Sequence, residues 1–192
     1  MRFIELNPPI IELAAGQVFH RVQLIRPRSN SVLLNGLSLP PVGLRHGRFC
    51  LADGPVAYLA DSAETALYES LLRRETVSRS LADFTPRCLV EFASRVTLRL
   101  ADLRELAEPY PVLQSMRVAH TQAFAADCHS RGLDGVLYAS AQHPHHACTA
   151  LFSTGIHTLV KRNARRLVKQ GSSRLLMEAH AALWRSGVPL VG

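Results

Sequence analysis

The stretch from Gly47 to Ser70, GRFCLADGPVAYLADSAETALYES, places chemically capable residues around one predicted strand–helix corner. Arg48 supplies a guanidinium group, whose planar set of donors suits phosphate and carboxylate oxygens. Tyr58 lies in the short apolar strand, and Glu69 supplies a carboxylate on the following helix. This combination raises the question of whether the corner forms one wall of a ligand site.

Structural roles are also open to these residues. Glu69 is followed four positions later by Arg73, the favourable order for an exposed helical ion pair worth about 0.2–0.5 kcal/mol. Arg48, and Arg21 further upstream, could lie over the edge of a sheet with their apolar stems packed. Tyr58, between Ala57 and Leu59, has the surroundings of a core residue.

Two predicted strands, joined by a long loop, lead to the helix of this corner. Residues 17–25, QVFHRVQLI, are β-branched and aromatic, and they predict a strand with Arg21 in its middle. A loop rich in Pro, Ser, Asn and Gly runs from Arg26 to Arg48, and loops of this length are usually functional or mobile. Val56–Leu59 predicts the second strand.

A helix is predicted directly after the second strand. Asp61 stands three residues before Glu64, the spacing of a capping box, and the helix is expected to end near Arg74. Its predicted apolar face consists of Ala63, Ala66, Leu67, Ser70 and Leu71.

The remaining pattern alternates strands and helices. Strands are predicted at 87–93, 96–102, 135–140 and 148–152, and helices at 115–131, closed by Gly132, and at about 172–185. We therefore expect an α+β fold in which helices flank a mixed, mostly antiparallel sheet. Residues 1–192 are expected to form one domain with a core at about 17–153, followed by a basic segment and helix at 161–186.

Composition indicates an ordinary globular protein of 192 residues, with 47% hydrophobic and 19% charged residues. No apolar run approaches the roughly 18 residues of a membrane helix, and the start, MRFIELNPPIIELAAG, does not resemble a secretory signal. We therefore expect a cytoplasmic protein without membrane association. The four cysteines form no CxxC pair and are expected to be reduced core residues.

Several motifs in order resemble the RES family. They are FHRV around Arg21, then GRF, GPVAYLA and ETALYE within 47–69, GLDGVLYAS at 132–140 and ALF at 150–152. The family takes its name from arginine, glutamate and serine, and its members are toxins of bacterial toxin–antitoxin pairs. The resemblance implies a fold similar to that of ADP-ribosyltransferases and an activity that destroys NAD.

The resemblance also implies the site. It assigns catalytic roles to Glu69, Arg21 and Ser140 and substrate-binding roles to Arg48 and Tyr58. The arginines would bind the NAD pyrophosphate, Glu69 would act on the ribose, and Tyr58 and Ser140 would face the nicotinamide.

The implied chemistry needs only one carboxylate. Cleavage of the nicotinamide–ribose bond gives an oxocarbenium-like transition state, as in glycoside hydrolysis. Nicotinamide leaves as a neutral ring, so no general acid is required, and the acceptor could be water or phosphate. No GxGxxG follows a strand, so NAD would be a substrate and no cofactor is expected.

The resemblance implies a cognate antitoxin as partner, with a helix-turn-helix DNA-binding part, and an oligomeric toxin–antitoxin complex. Two alternatives remain open: a mono-ADP-ribosyltransferase that modifies a protein, and a non-catalytic basic binding module. The binding module rests on positions 20, 49–50 and 141–148, which differ from the usual family pattern.

Two further clusters of residues give weaker evidence of a function. The spacing of His143, His145, His146 and Cys148 does not match usual metal-ligand patterns, and we expect a loop beside the pocket without a metal. The run 161–174, KRNARRLVKQGSSR, contributes to the net charge of +7 and could form a solvated face or attract an acidic antitoxin or nucleic acid. Without a DNA-binding motif, direct sequence-specific nucleic-acid binding is not expected.

Overall fold

The computed structural model describes residues 2–44, 47–106, 108–113 and 118–191. Strands and helices are numbered in chain order through this part of the chain. The strands are β1 (Ile10–Leu13), β2 (Val18–Leu24), β3 (Val32–Leu34), β4 (Leu37–Leu39), β5 (Ala57–Ala60), β6 (Arg79–Ser80), β7 (Arg87–Ser94), β8 (Leu98–Asp102), β9 (Gly135–Ala139), β10 (Ala147–Leu151), β11 (Leu159–Arg166) and β12 (Leu190–Val191). The helices are α1 (Phe3–Leu6), α2 (Ala63–Ser70), α3 (Leu81–Phe84), α4 (Val118–Ser130), α5 (Ser153–His157) and α6 (Met177–Ser186), with short 3-10 turns at Arg104–Leu106 and Pro111–Leu113.

One eight-stranded sheet organises the fold, in the order β1-β8-β9-β10-β5-β2-β7-β11. β8 and β9 pair in parallel and the other neighbours are antiparallel, so the predicted mixed, mostly antiparallel sheet with flanking helices is confirmed. β10 joins the two halves of the sheet, because it pairs with β9 on one side and with β5 on the other. β2 and β5 meet only at His20 and Ala60, which leaves a gap between these two strands.

Each face of the sheet has its own apolar core. Helices α2, α4 and α6 cover one face, where Leu67, Phe124 and Ala179 are fully buried. The other face is covered by the β3–β4 hairpin, whose Leu37 and Leu39 pack on the second core. Burial of these side chains supplies the main favourable free energy of folding.

The β3–β4 hairpin corrects the prediction of an unstructured loop from 26 to 48. Its turn is Asn35-Gly36, and both residues have positive φ, 50° and 84°. This conformation matches a two-residue hairpin turn, for which Asn-Gly is the strongest short-range signal. Residues 45 and 46 of the predicted loop lie outside the described residues.

Helix α2 differs from its prediction at both ends. Its cap is Ser62, whose Oγ accepts a hydrogen bond from the N–H of Thr65 at 3.1 Å, and not Asp61. The helix ends at Ser70, four residues before the predicted end, where the N–H groups of both Leu71 and Leu72 converge on the carbonyl of Leu67.

Other predicted boundaries shift by a few residues, and the basic run differs in kind from its prediction. The strands predicted at 87–93, 96–102, 135–140 and 148–152 are present as β7 to β10, and the helix predicted at 115–131 is α4, with residues 115–117 outside the described part. The basic run begins as β11, an edge strand that the sequence analysis missed. The last long helix starts at Met177, five residues later than predicted.

The C-terminal helix packs on the helix that carries Glu69. The α6 residues Ala179, Ala182 and Leu183 are buried against the core, and Arg185 forms an ion pair with Glu64 of α2. Cys88, Cys128 and Cys148 are buried free thiols, as predicted for core residues, whereas Cys50 is only half-buried. Among the described residues, no helix is long and apolar enough to cross a membrane.

Candidate active site

A cavity of about 510 Å³ lies between α2, the gap between β2 and β5, and the ends of β9 and β10. Its volume is in the range of small-ligand and cofactor sites. Its polar and aromatic lining includes His20, Arg21, Arg48, Tyr58, Glu69, Arg73, Tyr138, Gln142 and Cys148. Four of the five predicted site residues therefore line one cavity, and the fifth, Ser140, reaches it through Glu69.

Glu69 and Ser140 form a hydrogen-bonded pair although 71 positions separate them in the chain. The Ser140 hydroxyl is buried and accepts hydrogen bonds from the N–H groups of Gln142 at 3.2 Å and His143 at 3.0 Å. Since its oxygen accepts twice, its single hydrogen is directed to Glu69 Oε1, at 2.5 Å. The pair therefore has a fixed polarity, with the serine as donor and the carboxylate as acceptor.

The alternative role for Glu69, an ion pair with Arg73, is wrong. Arg73 donates from Nε to the backbone carbonyl of Glu69 at 2.9 Å, and its Nη1 lies 3.8 Å from Oε1 of Glu75. Arg73 thus fixes the end of the helix, and the Glu69 side chain points to Ser140.

Arg48 is held over an aromatic surface at one side of the cavity. Its guanidinium carbon lies 4.7 Å from the ring centroid of Tyr138, within the range of cation–π attraction. Its Nη1 donates to the carbonyl of Leu113 at 3.2 Å. These contacts orient the guanidinium group and leave further N–H donors for a ligand.

The loop that carries Arg48 is tethered by Tyr58. The Tyr58 hydroxyl accepts a hydrogen bond from the N–H of Phe49 at 2.9 Å. The ring also packs on Gly47, where an added Cβ would lie 2.3 Å from the tyrosine oxygen, so any larger residue would displace the Tyr58 ring. Burial raises the pKa of Tyr58, which keeps the hydroxyl protonated at neutral pH.

Arg21 lies where β2 and β5 separate. Along β2 it alternates with His20, which places its side chain on the hairpin side of the sheet. Its Nη1 donates to the carbonyl of Tyr58 at 2.7 Å, and its Nη2 to that of Ser38 at 3.4 Å. Burial lowers the pKa of Arg21 to about 10, so the group remains a cation at pH 7. Arg21 lines the cavity at the gap between β2 and β5, so it places a fixed positive charge in the cavity floor.

A stack of three rings supports the loop that binds Ser140. His143 stacks on Tyr68 with centroids 4.7 Å apart and on His146 at 3.8 Å. The Nδ1 atom of His143 lies 2.9 Å from the Thr65 hydroxyl, and that of His146 lies 3.1 Å from the Asp61 carboxylate. Burial and the neighbouring His146 lower the pKa of His143. The rings hold the backbone donors of this loop against Ser140.

Asp61 has a different role from the predicted helix cap. Its carboxylate accepts a hydrogen bond from the N–H of Ala147 at 2.8 Å in addition to the contact with His146. Burial alone would raise the pKa of Asp61, but these hydrogen bonds outweigh it and lower the value. Within the described ranges, no group of three or more His, Cys, Asp or Glu side chains could hold a metal ion.

Five of the polar and aromatic cavity residues were not predicted as site residues from the sequence: His20, Arg73, Tyr138, Gln142 and Cys148. Arg73 carried a signal, because it lies one helical turn after Glu69, but the same spacing also predicts an ion pair. Tyr138 alternates with Leu137 in β9 and so faces the same side of the sheet as Ser140. Gln142 carried no signal, since its position depends on the fold of the loop after β9.

A family comparison decides the relationship that the motifs suggested. The model of the RES domain matches residues 19–170. The chain belongs to the RES domain family. The match includes every predicted site residue and β11.

A solved structure supports the fold of this RES chain. A chain from the crystal structure of the M. tuberculosis MbcT-MbcA toxin-antitoxin complex is similar, with a TM-score of 0.52 and 17% sequence identity. The similarity covers 80% of this chain and 85% of that chain. Comparison with curated proteins gave no match.

Proposed function

We propose that this RES chain is the toxin of a toxin–antitoxin pair and that it degrades NAD by cleaving the nicotinamide–ribose bond. The observation that carries the proposal is the Glu69–Ser140 pair at the wall of a cavity with three arginines. A carboxylate facing a cationic reacting centre, with guanidinium groups for a pyrophosphate, suits a dinucleotide whose nicotinamide departs.

The proposed reaction breaks the bond between the ribose C1 and the nicotinamide nitrogen. Both bonding electrons go to the ring, which leaves neutral, and the ribose carbon becomes oxocarbenium-like. Ser140 occupies Oε1 of Glu69, so Oε2 is available to stabilise the positive charge or to hold the 2′-hydroxyl. An oxygen of water or phosphate then bonds to the carbon and loses its proton to solvent, giving ADP-ribose or its 1″-phosphate.

The cavity charge supports an anionic substrate. Among its described lining residues, three are arginines and one is a carboxylate. Arg48 and Arg21 would neutralise the pyrophosphate, while Tyr58 would present its ring to the nicotinamide. The chain holds these cations in place before substrate arrives, so little ordering is needed on binding.

A cognate antitoxin is the proposed partner. A solved structure similar to this chain is a toxin–antitoxin complex, and this similarity, together with the family match, supports the toxin role. We propose that the antitoxin covers the cavity, contributes a helix-turn-helix DNA-binding part and forms an oligomeric complex with the toxin. NAD is a substrate in this scheme, and no cofactor is required.

The deciding experiment is incubation of the purified chain with NAD, with and without phosphate, followed by chromatographic separation of the products. Nicotinamide release supports the proposal, and the product identifies the acceptor. Intact NAD under both conditions refutes NAD degradation. A labelled protein in lysate would then identify a mono-ADP-ribosyltransferase, and salt-sensitive binding to nucleic acid without labelling would identify a basic binding module.

A further inference from the structure

A second, smaller cavity lies beside the first, between the C-terminal end of α2 and residues 186–189. Its volume is about 170 Å³, and its polar lining includes Arg73, Arg74, Thr76 and Gln142. This is below the roughly 300 Å³ at which sites for larger organic ligands begin. The size suits a small polyatomic ion or one group of a larger ligand.

The two cavities share a wall that contacts the Glu69–Ser140 pair. Arg73 and Gln142 line both cavities. The Nε of Arg73 donates to the backbone carbonyl of Glu69, and the N–H of Gln142 donates to the Ser140 hydroxyl. A ligand in the second cavity would therefore contact two residues that also line the first cavity.

The donors of the second cavity favour an anion. The side chain of Gln142 accepts a hydrogen bond from the N–H of Arg74 at 2.8 Å through Oε1, so its Nε2 is the donor end. Arg73 and Arg74 are both exposed and add two guanidinium groups. The nearby carboxylate of Glu75 lies 3.8 Å from Arg73, is largely exposed, and offsets only part of this charge.

We propose that the second cavity binds a phosphate group, with Arg74 and Arg73 as its charged donors. This inference deepens the proposed function and rests on it for the identity of the reaction. The phosphate group is either inorganic phosphate or a phosphate of the dinucleotide. Guanidinium donors recognise phosphate oxygens in both cases.

Arg74 offers the cleanest test because it lines only the second cavity, whereas Arg73 also lines the first. Arg74→Ala removes the guanidinium group and keeps the backbone N–H that binds Gln142. Arg74→Lys restores the charge, and Arg95→Ala is a matched control at the exposed turn between β7 and β8. The first readout is the rise in melting temperature when chloride is replaced by inorganic phosphate at equal ionic strength.

If inorganic phosphate is the ligand, it raises the melting temperature of the unmodified chain and of Arg95→Ala. Arg74→Ala then binds phosphate about tenfold more weakly, the effect of losing one charged hydrogen bond. Arg74→Lys regains part of the binding, which a merely structural role of Arg74 would not produce. This readout does not require NAD cleavage, so the subsite can be supported even if the proposed function fails.

If the phosphate belongs to the dinucleotide, the second readout is decisive. Arg74→Ala then lowers kcat/KM for NAD about tenfold and leaves kcat/KM for nicotinamide riboside, which has no phosphate, unchanged. The proposal is overturned if Arg74→Ala and Arg95→Ala show the same rise in melting temperature with phosphate and the same ratio of kcat/KM for NAD to kcat/KM for nicotinamide riboside. An absence of phosphate stabilisation together with an absence of NAD cleavage also overturns it.

Discussion

Glu69→Gln separates the charge of Glu69 from its place in the structure. The glutamine carbonyl can still accept the hydrogen bond that Ser140 donates to Oε1 at 2.5 Å. A charged hydrogen bond becomes a neutral one, which costs about 1 kcal/mol of folding free energy. For a chain of this size, that corresponds to a fall in melting temperature of about 2–4 °C.

The same substitution removes the charge that would stabilise the oxocarbenium-like ribose. Two unit charges about 4 Å apart interact by about 4 kcal/mol at an effective dielectric constant of about 20. We therefore expect nicotinamide release to slow by about a thousandfold. The amide remains polar, so the expected loss lies in kcat, while KM for NAD changes little.

The assay combines thermal unfolding with single-turnover release of nicotinamide. A folded variant that cleaves NAD within about tenfold of the unmodified rate would refute the electrostatic role of Glu69. Glu69→Ala is the harsher comparison, because it also leaves the buried Ser140 hydroxyl without its acceptor. We expect that variant to remain folded, since Glu69 lies beside the apolar side of α2, and to lose NAD cleavage. Unfolding of both variants would make Glu69 a structural residue.

Three further predictions concern the supports of the site. Tyr58→Phe removes the oxygen that accepts the hydrogen bond from the Phe49 N–H, so it should lower the free energy of unfolding by about 1–3 kcal/mol and raise KM for NAD. Denaturant unfolding and steady-state kinetics measure these two effects, and an unchanged stability and KM would show that Tyr58 does not tether the loop. Gly47→Ala places a methyl group 2.3 Å from the Tyr58 oxygen and should lower the free energy of unfolding by about 1–3 kcal/mol. Thermal unfolding measures this loss, and an unchanged stability would contradict the predicted clash. Burial lowers the pKa of both His20 and His143 from 6.5, so below that pH the unfolded chain binds more protons and stability falls as the solution becomes acidic. Urea midpoints measured across this pH range should decrease towards acid, and a flat profile would exclude the effect.

The sequence predicted most elements of the sheet because their apolar residues alternate or form short buried runs. β11 escaped prediction because edge strands tolerate polar residues on both faces, and LVKRNARR has no alternation. The β3–β4 hairpin did have a local signal, the turn pair Asn35-Gly36, but the Pro-, Ser- and Gly-rich composition around it is typical of a loop.

The candidate site was less accessible to sequence reasoning. Spacing alone cannot bring Glu69 and Ser140 together across 71 positions, and only the family motifs suggested that they share a site. The shared wall formed by Arg73 and Gln142 depends on how the loop after β9 folds back on α2. Such a contact is set by tertiary packing, for which local patterns carry no information.

The central position of β10 has a consequence for protein synthesis. β10 is completed only at Leu151, yet it joins β9, which leads to Ser140, to β5, which leads into the helix that carries Glu69. A nascent chain that ends before this strand leaves the two halves unjoined and has no assembled cavity. Because long-range strand pairing is also slow compared with helix formation, the complete cavity forms late, after most of the polypeptide has been synthesised.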